Sequence, residues 1–319
     1  MKYLRKYPFL GPLVAVVVVY VIFAIIAPGP FTRAQNLTTM AGQTVVVGIA
    51  AAGMTLVILL GGIDLSVGSN VALSTVVCAL CLRSGAPAIV AALAAMGSGM
   101  LAGLVNGALV TTLRITPFIV TLGTMRALRG LAKGLADEQK IDAPASGLEA
   151  LLAPLPPGWG WALFPPGVWI MLGTSALVAA MLVYTRGGRH IVAIGSNEAT
   201  ARLCGVRVER VKWLVYGLAG LFAGLAGVME YATLTVGDPT DSIGLELEVI
   251  AAVVIGGGSL AGGEGSVAGA LFGALLMTVI RTGSTFLGID NWVQDIVTGG
   301  IVVTAVALDR ARRSSEAGR

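Results

Sequence analysis

Charge is what this chain has least of. Only 12% of its 319 residues are Asp, Glu, Lys or Arg, about half the share of a soluble domain. Histidine occurs once, at His190 beside Arg189, and cysteine three times. A lone surface histidine supplies neither a catalytic triad nor a metal cluster. Cys78 and Cys81 form a C-x-x-C inside an apolar run and Cys204 stands alone, so neither a disulfide framework nor a zinc site is expected. A phosphate-binding loop needs G-x-x-x-x-G-K-[ST], whose amides and lysine hold the phosphates. No Gly-Lys pair occurs in the chain, so no such loop is possible. The expectation is a protein without catalytic residues, bound metal or cofactor of its own.

What is present is apolar: 56% of residues are hydrophobic and 44 are glycine. A membrane crossing takes about 20 apolar residues. Ten segments qualify, at 9–27, 43–60, 66–82, 88–110, 116–133, 167–185, 212–232, 247–261, 266–284 and 292–308. The fifth is weakened by Arg126, Arg129 and Lys133, and the eighth is short and ends in glycines. Either is a candidate for re-entry, leaving eight to ten spans. The fold expected is all-α, a single polytopic membrane unit over 1–319 with glycine-rich helix packing against lipid.

Basic residues orient it. Lys2, Arg5 and Lys6 precede the first span. Arg186, Arg189, Arg202, Arg207, Arg210 and Lys212 lie between the sixth and seventh, and Arg310, Arg312, Arg313 and Arg319 follow the last. With ten spans all three clusters share one side. By the positive-inside rule both termini and the 186–211 loop are then cytoplasmic. This also explains the net charge of +4 without a nucleic-acid partner. The 134–166 segment, with four acids and many prolines, reads as an external loop, and Trp159, Trp161 and Trp169 mark an interface beyond it.

One stretch breaks the pattern. Gly61, Gly62, Asp64, Ser66 and Gly68 interrupt a long apolar run in which Asp64 is the one acid. A mid-span Asp costs about 2.5–3.5 kcal/mol. The stretch is therefore read as a hinge between two membrane elements, with Asp64 as N-cap of the third span. A second apolar run, Val253 to Gly258, echoes Val57 to Gly62. Glycines recur every four residues at Gly99, Gly103 and Gly107 and at Gly265, Gly269 and Gly273, which favours close packing.

In the 186–211 loop, residues 196–205 read as a short helix. Asn197 suits an N-cap, Glu198 the positive first turn, and Gly205 the left-handed stop. Ala199, Leu203 and Val206 give it an apolar face. It serves either as an amphipathic connector or as a knob for a cytoplasmic partner.

Gly61 to Ser69, Ile194-Gly195-Ser196-Asn197-Glu198-Ala199, Ile250 to Gly257 and Thr116 to Gly123 occur in order over nearly the whole chain. Together they resemble the permease subunit of ribose-type, simple-sugar ABC importers. The resemblance implies a bacterial inner-membrane protein that imports a monosaccharide or related polyol. It implies a second permease copy or paralogue and an external solute-binding protein. It also implies a cytoplasmic ATPase that uses ATP and Mg and is reached through a coupling helix built from Asn197, Glu198, Ala199, Thr200, Arg202, Leu203 and Gly205. Thr200 departs from the family's Glu-Ala-Ala loop.

A sugar pathway needs neutral hydrogen-bonding groups. Span-located candidates are Asn70, Ser74, Asn106 and Thr121, with Thr75, Thr111 and Thr124, though each is equally able to bond a neighbouring helix. The alternative function is a stand-alone secondary carrier or facilitator. Asp64, Glu230 and Asp295 are few coupling groups for one.

Overall fold

The computed structural model describes residues 9–27, 29, 31–155 and 162–317. Lys2, Arg5, Lys6, Trp159, Trp161 and Arg319 lie outside the described residues, as do the side chains of Arg310, Arg312 and Arg313. Twelve helices are described: α1 Leu10–Ile26, α2 Ala34–Leu59, α3 Val67–Arg83, α4 Ala88–Leu113, α5 Pro117–Leu135, α6 Pro166–Tyr184, α7 Arg186–Ser196, α8 Glu198–Leu203, α9 Val208–Leu234, α10 Leu245–Ile255, α11 Val267–Phe286 and α12 Asn291–Ala317. Two two-residue strands, β1 Ile141–Asp142 and β2 Val236–Gly237, pair antiparallel. The ten apolar segments match ten of the helices within a few residues at most ends; α7 and α8 fill the basic loop. Of these, α2, α4, α6, α9 and α11 are long and apolar enough to cross a membrane by themselves.

The core is built around α2. Every residue from Thr44 to Leu59 is buried, against α6, α9, α10 and α11. Val, Ile, Leu and Met supply its bulk, and small residues let neighbours approach. The longest helix contact joins α4 to α9. A Cβ on Gly99 would lie 2.7 Å from the Gly224 Cα, and one on Gly103 would overlap the Tyr216 carbonyl oxygen. The two backbones therefore touch through glycines on both helices. On α11, Gly269 and Gly273 meet Gly256 and Ala252 of the α10 end in the same way, whereas Gly265 precedes the helix.

Helix α9, 27 residues long, serves as a ruler of about 40 Å. Gly62 packs on Tyr216, near the start of α9; Gly227, near its end, packs on Ser74. β1 and β2 lie just past that end. Helix α1 begins with Phe9 stacked on Phe272, early in α11, and ends with Phe23 against Gly283. Its N-terminal end thus lies on the face that carries α7 and α8.

The described residues of the 134–166 segment are more ordered than a loop of that composition suggests. β1 holds β2, Lys140 pairs with Asp238 at 3.0 Å, and Glu149 accepts from the Gly147 amide at 2.7 Å. Arg129 of α5 donates to the carbonyls of Pro239 and Asp241. This cap closes the face opposite α8.

Helix α10 departs most from a simple span. Gly237 packs on Thr75, Val76 and Ala79 of α3, yet Ser242 and Leu245 pack on Gly68, two turns back. Residues 238–244 thus run back down α3 into the molecule. α10 then starts at depth and covers about 16 Å in 11 residues. This crossing is interrupted, half irregular chain with turns at 239–240 and 243–244 and half helix.

The backbone contact predicts an asymmetry. Gly103→Ala must push α4 from α9 and should destabilise by about 1–3 kcal/mol, whereas Gly97→Ala meets open space and should stabilise by up to about 1 kcal/mol through helix propensity. Thermal unfolding in detergent compares them, and equal melting temperatures would refute the contact.

Candidate functional site

Three features lie together between the α8 face and the interior: the break after α2, the break after α10, and the α7–α8 junction. Both breaks are built alike. After α2, the Gly61 amide bonds the Ile58 carbonyl and the Gly62 amide that of Val57, both at 2.9 Å. After α10, Gly257 bonds Val254 at 2.9 Å and Gly258 bonds Val253 at 2.8 Å. Gly61 and Gly257 have φ of 81° and 90°, the left-handed stop that glycine adopts without a Cβ penalty. The sequence echo is thus a repeated helix-ending motif.

The two breaks touch. The Gly263 amide donates to the Leu59 carbonyl at 2.9 Å, and Gly61 lies against Ala261 and Gly262. The end of α7 closes the junction. A Cβ on Gly195 would overlap the Leu59 carbonyl oxygen, and one on Gly262 would come within 2.8 Å of the Gly195 oxygen.

Asp64 follows the first break and is 5% exposed. Its Oδ1 accepts from the Ser66 amide at 2.8 Å and the Ser66 hydroxyl at 2.6 Å. Asn106 donates to that hydroxyl at 2.8 Å, and Thr121 donates to the Ile63 carbonyl at 3.0 Å. The N-cap of α3 is Ser66 rather than Asp64. Asp64 instead closes a turn two residues earlier, where it satisfies the Ser66 amide as the chain enters α3.

The α7–α8 element was half legible. Asn197 Oδ1 accepts from the Thr200 amide at 2.8 Å, and Gly205 ends α8 at φ 83°. α7, with Ile191 and Ile194 buried, was not anticipated, because its glycines and arginines hide an amphipathic period. Glu198 is gripped by Lys212 at 2.8 Å and Arg202 at 3.2 Å, and Arg202 reaches Glu209 at 2.6 Å. Burial pushes the Glu198 carboxyl up, but these two cations together hold it below its ordinary value. Ala201 is buried while Leu203 is 90% exposed. α8 therefore presents an apolar tip on a pinned base, and Glu198, Ala199, Arg202 and Leu203 line a shallow recess there.

A cavity of about 940 Å³ opens elsewhere, between α2, α9, α10, α11 and α12. Gln43, Glu230, Glu248, Arg281, Gln294 and Asp295 are among the side chains that line it. Thr282 donates to Gln43 at 3.1 Å, and Arg281 pairs with Glu248 at 3.3 Å. None of the pathway candidates read from the sequence lines this cavity. Asn70 bonds the Gly99 carbonyl and Thr121 its own helix and Ile63; Ser74 is buried against Gly227, and Asn106 holds Ser66. Thr75, Thr111 and Thr124 bond their own helices. Asn70, Ser74, Thr75, Asn106 and Thr121 are buried between helices rather than on this cavity, and Asn70 Oδ1, Ser74 Oγ and Asn106 Oδ1 have no hydrogen-bond partner among the described residues. Of the residues singled out earlier, the cavity holds Glu230 and Asp295. The remaining lining residues come from the polar ends of α2 and α11, from Thr233 of α9, from residues 241–248 and from the start of α12, a signal scattered over the chain.

Residues 36–306 match the family model described as branched-chain amino acid transport system / permease component. The ribose import permease protein of Escherichia coli K12 is 41% identical over 306 residues, which cover 94% of this chain and 93% of that protein. The fructose import permease protein of Rhizobium meliloti is 36% identical over 97% of this chain and 87% of its own. The autoinducer 2 import system permease protein of Photorhabdus luminescens is 34% identical over 86% and 82%. No solved structure matches the chain.

The Asp64 turn makes a graded prediction. Asp64→Ala strands the buried Ser66 amide and should cost about 1–3 kcal/mol, while Asp64→Asn keeps the Oδ1 acceptor and should cost less. Melting temperatures of the two variants decide it, and a harmless alanine would contradict the turn.

Proposed function

The chain belongs to the branched-chain amino acid transport system / permease component family, and we propose on that premise how its parts divide the work of import. It is a multi-pass permease subunit of an ABC importer in the bacterial inner membrane, a transport component of the sugar type represented by its relatives. The solute is a monosaccharide or related polyol. Energy comes from a separate ATPase that uses ATP and Mg, and solute arrives from an external binding protein. A second permease copy or paralogue completes the pathway.

One observation carries the assignment of the ATPase site: α8 exposes Leu203 almost fully while its base is fixed by three ion pairs and a buried Ala201. An exposed leucine on a rigid helix suits insertion into a cleft of a partner. The α8 face is then cytoplasmic, and the β1–β2 cap, with the mouth of the cavity, is external. Both termini are cytoplasmic in this arrangement. The Gly61–Gly68 break takes the role of hinge, because α7 rests directly on it through Gly195.

A stand-alone carrier needs no such partner. Leu203→Asp leaves folding intact, since the side chain is in solvent, and should lower both ATPase co-purification and sugar uptake at least tenfold at unchanged membrane level. Gly205→Val, forced into a left-handed backbone at about 1–2 kcal/mol, should do the same through α8 itself. ATP-independent uptake, or full activity of Leu203→Asp, would favour the carrier.

A further inference from the structure

The cavity is unequal in charge. Glu230, Asp241, Glu248 and Asp295 line it against one guanidinium, that of Arg281. Arg281 is already bound to Glu248 at 3.3 Å. Other cations on this side lie outside the lining: Arg129 binds the carbonyls of Pro239 and Asp241 in the field of Glu246, Lys140 pairs with Asp238 at 3.0 Å, and Arg33 is exposed one turn before Asn36. The remaining polar lining is neutral, from Asn36, Gln43, Thr282, Asn291 and Gln294.

We propose that this cavity is a charge filter, open to neutral polyols and closed to anions such as phosphorylated sugars and carboxylates. Low-dielectric walls concentrate the field of the charges that line them, so an excess of one sign acts over the whole passage. An entering anion loses water, faces Asp295 and the hydrogen-bonded carboxyls of Glu230 and Asp241 beyond the Arg281–Glu248 pair, and meets no second cation among the described lining residues. A neutral polyol pays none of that repulsion. Its hydroxyls donate to the carboxylates and exchange bonds with the amides and threonines, all of which suit a group that is donor and acceptor at once. The solute's identity rests on the importer reading; the sign of the field does not.

The test reads the field directly. Thr233 and Thr298 both line the cavity. Each is replaced by cysteine in a Cys81→Ser, Cys204→Ser background, the remaining Cys78 being buried. Nanodisc-embedded protein at pH 7 is reacted with the cationic 2-aminoethyl and the anionic 2-sulfonatoethyl methanethiosulfonate, and each rate is divided by that of a free thiol in solution. The cationic reagent should react at least tenfold faster at both positions. Glu230→Gln and Glu248→Gln should each reduce that ratio, and the double variant most. A ratio within twofold of one at both positions, or one that neither substitution moves, overturns the filter. Uptake by the whole complex is the second arm: a monosaccharide should enter and its phosphate should not. A complex with no ATP-dependent uptake of any sugar would sink the importer reading alone, because the thiol rates judge the filter without it.

Discussion

Backbone-to-backbone contact through glycine is the constraint on which this structure depends. In lipid there is no hydrophobic gain from bringing apolar helices together, so association rests on close packing. Helices α4 and α9 meet that requirement by removing side chains from their shared face at Gly99, Gly103, Gly220 and Gly224. The same device recurs where α10 meets α11 and where α7 meets the end of α2. Each contact leaves no layer of side chains to absorb a shift. Neighbouring elements therefore hold position closely, which is what lets buried polar groups such as Asp64, Ser66 and Asn106 find partners.

The two broken helices follow from a second demand of the bilayer. A chain that leaves a helix inside protein must satisfy the amides and carbonyls it frees. Both breaks do so with the same pair of turns, ending on a glycine at positive φ. The leftover groups are then shared: the Leu59 carbonyl takes the Gly263 amide, and Asp64 takes that of Ser66. An acid in an apolar run looked costly because its partner could not be seen two residues away in sequence terms. In the fold it is the acceptor that the break requires.

Hydropathy made the helices legible, because each apolar run must find a membrane or a core. The caps of α8 were legible too, since Asn197 and Gly205 act within the helix they bound. Three things were not. α7 is short, basic and glycine-rich, and its burial comes from contact with Leu182 and Leu59. The depth at which α10 starts is fixed by its packing on Gly68, a contact between distant segments. The cavity draws on residues from Asn36 to Thr298, so no local window contains it. The polar residues inside spans that the sequence offers, Asn70, Ser74, Asn106 and Thr121 foremost, lie elsewhere, buried between helices.

Geometry also joins the proposed docking helix to the cavity. α8 continues from α7 at Asn197, and Gly195 and Ser196 lie against Gly262 and Gly263 of the loop that follows α10. α10 carries Glu248 into the cavity, where it meets Arg281 of α11. That path is contiguous, and its middle is a helix of 11 residues. A helix so short moves as one piece. Its lower end packs through Gly256 on Gly269, the loop after it reaches Gly195 through Gly262 and Gly263, and its upper end begins after Gly244, at φ 87°, below the turns of residues 239–244. If α8 docks as proposed, a displacement there reaches Glu248 through the 257–263 loop and α10. A full-length span pinned at both faces would resist that motion. An interrupted crossing leaves α10 separate from any helix above it, and this is a physical reason for the eighth crossing to be broken where it is.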